Sequence, residues 1–170
     1  MTTLRWTFRI ALLAALFGLL PTTARAEEAW ERAVREAEEA EDVELAEAKQ
    51  RGTTRQVVNK YASRLSRQPT ATNHYLLGRA LYYDGDVAGA ERELRRALQL
   101  EPRFWFAHLR LAMLEVQKQR YQEAEHHVTL VLKRRPREPD ALKLFAQLLM
   151  ESKDWDRAIR VLEDLLAQEP

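Results

Sequence analysis

RALQLEP (residues 96–102), LVLKRRP (130–136) and LEDLLAQEP (162–170) each run through leucines and close on a proline, at 102, 136 and 170. The interval is 34 residues both times. Laid out at that spacing, Gly78, Ala112 and Ala146 coincide, as do Ala90, Ala124 and Ala158. Leu77, Leu111 and Phe145 align, and so do Leu94, Val128 and Leu162, then Leu98, Leu132 and Leu166. Small or apolar residues recurring at a fixed register without an insertion mark a repeat array.

Within a copy the spacing is helical. Leu77 and Leu81 form one amphipathic run, and Val87, Ala90, Leu94, Ala97 and Leu98 form a second, in steps of three and four. Asp84-Gly85-Asp86 separates the two, and Asp86 is placed to cap the second helix, with Asp154 at the same register two copies later. The small residues at 78, 112 and 146 admit the paired helix closely, and the alanines at 90, 124 and 158 do so from the other side. Each proline ends a second helix, because a helix interior does not accommodate its missing N–H. The expected fold class is all-α, a solenoid of helix-turn-helix repeats.

The pattern resembles the tetratricopeptide repeat family, whose first helix carries tryptophan, leucine-glycine and tyrosine and whose second carries alanine, phenylalanine, alanine and proline. Residues 71–104 place His74 for the tryptophan, keep Leu77 and Gly78, put Leu81 for the tyrosine, and continue with Ala90, Leu94, Ala97 and Pro102. Residues 105–138 give His108, Leu111, Ala112, Ala124, Val128, Val131 and Pro136, with Glu115 departing at the tyrosine position. Residues 139–170 give Leu142, Phe145, Ala146, Leu149, Ala158, Leu162, Leu165 and Pro170.

In that family the first helices line a groove that holds another polypeptide. Carried over by register, the resemblance implies a groove of Thr72, Tyr75, Arg79, Tyr82 and Tyr83 from the first copy. The second supplies Phe106, Leu109, Arg110, Met113 and Val116, and the third Asp140, Lys143, Gln147 and Met150. Aromatic, methionine and arginine side chains together are the composition of protein-binding hot spots. The lysine-asparagine clamp by which some members grip a chaperone C-terminus is replaced here by Tyr75, Arg79, Arg110, Asp140 and Leu144. The implied partner is an extended or helical segment with apolar anchors and some acid.

The residues before the array read differently. Arg5 and Arg9, the uncharged run Ile10–Leu20, Pro21 and then TTARA have the order of a secretory signal peptide over residues 1–26, with cleavage expected after Ala26. Eleven residues rise only about 17 Å as a helix, short of a roughly 30 Å hydrocarbon core, so no lasting membrane insertion is expected. The expected destination is a bacterial periplasm. Residues 27–52 read as an acidic helix; 27–50 hold ten acids against three bases, a net charge of −7. Residues 53–70 read as a shorter helix with Val57, Val58, Tyr61, Ala62 and Leu65 on one face, capping the first of three repeats. Extending the register backward puts Gln56, Lys60 and Ser63 where small or apolar residues are required, so this is no fourth repeat.

Residues 51–170 carry 21 bases and 16 acids, too mild a surplus for nucleic acid. There is no cysteine, hence no disulfide. His74 and His108 fall at an aromatic packing position, whereas His126 and His127, adjacent on a helix, cannot chelate one ion together and are expected to face solvent. No glycine-rich phosphate loop or nucleophile elbow is present. No catalytic residue, metal site or cofactor is expected.

The sequence therefore predicts an exported, non-catalytic scaffold that holds a protein or peptide partner, as an adaptor in envelope assembly. The alternative is self-association. The array ends at Pro170 without a polar sealing helix, which would leave Trp155, Ile159, Leu162, Leu165 and Leu166 to dock against a second copy.

Overall fold

The computed structural model describes residues 23–167, which form eight α-helices and no strand. Residues 1–22 of the expected signal peptide (1–26), which hold its apolar run, and Pro170 lie outside the described residues. The helices are α1 (Thr23–Arg51), α2 (Thr54–Arg67), α3 (Ala71–Tyr83), α4 (Val87–Leu100), α5 (Trp105–Gln117), α6 (Tyr121–Arg134), α7 (Pro139–Glu151) and α8 (Trp155–Leu166). The chain divides between Asp42 and Val43 into two compact units. The first contains the acidic part of α1, with Arg32, Glu36 and Glu39 exposed along it.

In the second unit α3/α4, α5/α6 and α7/α8 are three successive helical hairpins, each packed on the next, and α5 also meets α7. Local chemistry sets their ends. Asp86 accepts the Gly89 amide hydrogen at 2.7 Å, and Asp154 accepts that of Arg157 at 3.2 Å, so the free amides of α4 and α8 are capped. Pro102 and Pro136 follow α4 and α6 within two residues of their ends, and Pro139 starts α7 in the first turn, where a missing N–H costs nothing. Gly78 is required by contact: a Cβ there would stand 3.1 Å from Leu94 Cγ and 3.2 Å from the Ala90 carbonyl oxygen. This is the close α3–α4 approach that the register anticipates. Ala90, Ala124 and Ala158 are buried from the opposite side.

The turn before α2 is made by Gly52 at φ +68°, a left-handed conformation. Val57, Val58 and Tyr61 of α2 are buried, and α2 packs on α3. Its start is pinned to the end of α3. The Thr54 hydroxyl donates to Asp84 at 2.6 Å and Arg55 adds a bond at 3.0 Å. The Thr54 bond, with help from Arg55, holds the Asp84 carboxyl below its ordinary range against the opposing effect of burial. Behind α2, Lys60 meets both carboxylate oxygens of Glu44 at 2.8 and 2.7 Å.

Glu115, the departure from the repeat pattern, is fully buried, at the register that Leu81 and Leu149 occupy in the neighbouring hairpins. Arg95 of α4 reaches it at 3.0 Å and Arg120, just before α6, at 3.3 Å. Beside it Lys118 pairs with Glu91, which Arg95 also contacts at 2.9 Å. The Lys118 bond outweighs burial and keeps the Glu91 carboxyl below its usual range. A position that is apolar elsewhere thus becomes the centre of an ion-paired seam between the first two hairpins.

His127 does not face solvent as the sequence suggests. His108 Nε2 donates to the Pro102 carbonyl oxygen at 3.1 Å, which leaves Nδ1 of the neutral ring as an acceptor for His127 Nδ1–H at 3.0 Å. Burial, and then the neighbouring His108, His126 and Arg95, push His127 down to about 4, and burial also lowers His108. His126 alone of the adjacent pair is exposed.

Candidate polypeptide-binding groove

An open cavity of about 510 Å³ lies along the first helices of the three hairpins. From α3 it is lined by Gly78, Arg79, Tyr82 and Tyr83, with Leu94 of α4 behind them. From α5 come Arg110, Met113, Leu114, Val116 and Gln117, and from α7 Asp140, Lys143, Leu144 and Gln147. Residues far apart in sequence meet here because the 34-residue period returns each first helix to the same side of the array.

Of the fourteen positions that register assigns to the groove, Arg79, Tyr82, Tyr83, Arg110, Met113, Val116, Asp140, Lys143 and Gln147 line the cavity. Thr72 is half-buried and stands off the lining. Tyr82 is 38% exposed, packs edge-on against Tyr83 at 5.8 Å, and accepts a hydrogen bond from the Gln117 side chain. Met150 is exposed but stands off the lining.

Tyr75, Phe106 and Leu109 are corrected by the structure: all three are buried and none lines the cavity. The cause is the aromatic run Phe104-Trp105-Phe106 at the turn into α5. Tyr75 packs 5.1 Å from Phe104 and 6.0 Å from Phe106, and Trp105 stacks on Phe106 at 3.7 Å. Four rings closing on one another withdraw Tyr75 and Phe106 from solvent. The cluster still shapes the groove from beneath. The Arg79 guanidinium lies over the Tyr75 ring at 5.8 Å, and Arg110 Nε donates to the Tyr75 hydroxyl at 3.4 Å. Tyr75 therefore braces two of the three cations on the wall. Only the density of aromatics in RFWFAH hinted at this role in the sequence.

On α8, Trp155, Ile159, Leu162 and Leu166 are exposed, at 56%, 54%, 36% and 66%, while Leu165 is half-buried. Ala158 is the helix's one buried residue. Among the described residues no cluster of three or more His, Asp or Glu side chains has the arrangement of a metal site. No described helix is long and apolar enough to cross a membrane.

Stacked helical hairpins with an open wall on their first helices define the class: an α-solenoid. Two family models, each described as tetratricopeptide repeat, match residues 75–139 and 115–170. Residues 75–170 thus belong to the tetratricopeptide repeat family. Among solved structures, the crystal structure of MamA aligns with a TM-score of 0.61 at 16% identity, covering 85% of each chain. MamA 41-end from Desulfovibrio magneticus RS-1 aligns at 0.63 and 16%, covering 78% of this chain and 75% of that one. Pseudomonas aeruginosa pilF aligns at 0.65 and 20%, covering 81% of this chain and 63% of that one. At these identities the likeness speaks for the fold. No curated protein matches the sequence.

Proposed function

We propose that this chain is an exported, non-catalytic scaffold that holds a segment of another polypeptide in the cavity along α3, α5 and α7, as an adaptor in envelope assembly. The single observation that carries the reading is the cavity itself. It is open and long enough to span three hairpins, and it is walled by Tyr82, Met113 and Val116 beside Arg79, Arg110 and Lys143. Aromatic, methionine and arginine side chains supply apolar contact and directed hydrogen bonds at protein interfaces, and methionine adapts to varied partners. Export rests on the charged, apolar, small-residue order of residues 1–26, and three repeats preceded by a capping helix over 53–70 is the domain organisation this reading adopts. A photocrosslinker placed at Tyr82 or Met113 tests it by yielding an adduct with a distinct polypeptide.

A second reading, self-association through α8, is favoured by one observation: four large apolar side chains along that helix are exposed. Ile159 stands where the equivalent helices α4 and α6 carry Glu91 and Glu125.

A further inference from the structure

Away from the groove, His108 of α5 and His127 of α6 bring their Nδ1 atoms to 3.0 Å from each other within the second hairpin. The His108 ring is oriented from behind. Its Nε2–H donates to the Pro102 carbonyl oxygen at 3.1 Å, so its Nδ1 carries a lone pair that faces His127. A backbone carbonyl on one ring nitrogen, with the other left bare, is how proteins orient a metal-ligating imidazole. A single proton, on His127 Nδ1, separates two nitrogens that are both suited to be ligands. Two imidazole nitrogens on one tetrahedral zinc ion, each about 2.0–2.1 Å from it, stand about 3.3 Å apart, so the observed spacing has only to open slightly.

The surroundings admit a cation. His127 lines a cavity of about 540 Å³ with Arg95, Gln122, Glu123 and His126. Water there can fill the coordination positions that two rings leave vacant. Glu123 stands one helical turn before His127 and adds a negative charge to the same lining. Arg95, the arginine of that lining, has its charge offset by Glu91 at 2.9 Å and Glu115 at 3.0 Å. No ligand spacing in the sequence announces the pair, because its members lie 19 positions apart.

We propose that His108 Nδ1 and His127 Nδ1 together bind one divalent transition-metal ion of the kind that imidazole prefers, such as zinc, and that the ion ties α5 to α6. The metal takes the place of the shared proton. His127 keeps one proton, moved from Nδ1 to Nε2, and His108 keeps its Nε2–H on Pro102, so no net proton is released and nothing is oxidised or reduced. Imidazole ligands favour zinc, copper and nickel, whereas magnesium takes oxygen ligands. The pair shares no residue with the groove lining, so the proposal stands independently of what lies in the groove.

Calorimetric titration of the untagged full-length chain with zinc chloride at neutral pH tests it. One ion per chain is expected, and magnesium chloride should give no binding heat. His108→Ala and His127→Ala should each weaken zinc at least about tenfold, the loss that follows even from removing a partner behind a ligand. His126→Ala, at the exposed neighbour, should leave the affinity unchanged. A second readout needs no variant. In proton–nitrogen correlation spectra of the histidine rings, zinc should shift the Nδ1 resonances of His108 and His127 and move the His127 proton to Nε2, with the His74 ring unaffected. Absence of saturable zinc binding overturns the proposal, as does a loss confined to one of the two rings. An equal loss from His126→Ala, or Nδ1 resonances that stay in place in the zinc-loaded chain, overturns it too.

Discussion

Helices α4 and α8 hold the same place in their hairpins, and their residues correspond at intervals of 68, yet they meet opposite surroundings. On α4, which packs against α5, Leu94 is 2% exposed, and Glu91 pairs with Lys118 across the junction. On α8 the equivalent Leu162 is 36% exposed, and Ile159 stands in place of the glutamate. The repeat pattern prescribes an apolar residue at 94 and 162 alike; a covering neighbour decides whether it becomes core. The polar residues diverge for the same reason. Glu91, Arg95, Glu115 and Lys118 each have a partner from the adjoining hairpin, and Arg120 adds a bond to Glu115 within its own, so charge there fixes which helices meet and in what register.

The largest effect should come from the covered junction. Arg95→Ala with Arg120→Ala strands the buried Glu115 carboxylate and should cost about 3 kcal/mol of stability in urea unfolding, since a buried charge is expensive without its partner. Adding Glu115→Met to that background should restore most of the loss, because an apolar side chain of similar size needs no counter-charge. If the triple variant is no more stable than the double, the seam is not held by charge.

The uncovered helix should show its difference in mass rather than in unfolding. Under the self-association reading, light scattering at tens of micromolar gives twice the chain mass. Trp155→Glu with Leu162→Glu returns it to one chain, with helicity retained. A single-chain mass for the unaltered protein removes that reading and leaves α8 as an exposed edge.

The smallest effect concerns the His108–His127 contact. The folded protein holds His127 neutral down to about 4, whereas the unfolded chain takes up its proton near 6.5. The unfolded state therefore binds more protons in that window, and stability present above 6.5 is lost as pH falls toward 4. His127→Phe should flatten the dependence of Tm on pH over that interval. An unchanged slope would mean that the pair contributes nothing to acid sensitivity.

The helix starts, the Asp86 and Asp154 caps and the close approach at Gly78 were legible because they are local consequences of residue type at a fixed spacing. Arg79, Tyr82, Arg110, Met113, Lys143 and Gln147 were legible as wall residues through the resemblance to the repeat family, whose groove register they occupy. Three features were not. Tyr75 and Phe106 share that register but were withdrawn by rings at 104 and 105, a contact between hairpins that no single helix encodes. Glu115 looked like a flaw because its counter-charges lie 20 residues before and 5 after it. His127 looked like a surface residue because its acceptor is 19 positions away.

The central claim is that a polypeptide lies along α3, α5 and α7. Photocrosslinking in native cells tests it most directly, with the probe placed in turn at Tyr82, at Met113 and, as a control at an exposed position of α6, at His126. Adducts of one common mass from Tyr82 and Met113, with none from His126, are the predicted result. Equal adducts from all three positions, or from His126 alone, would contradict it.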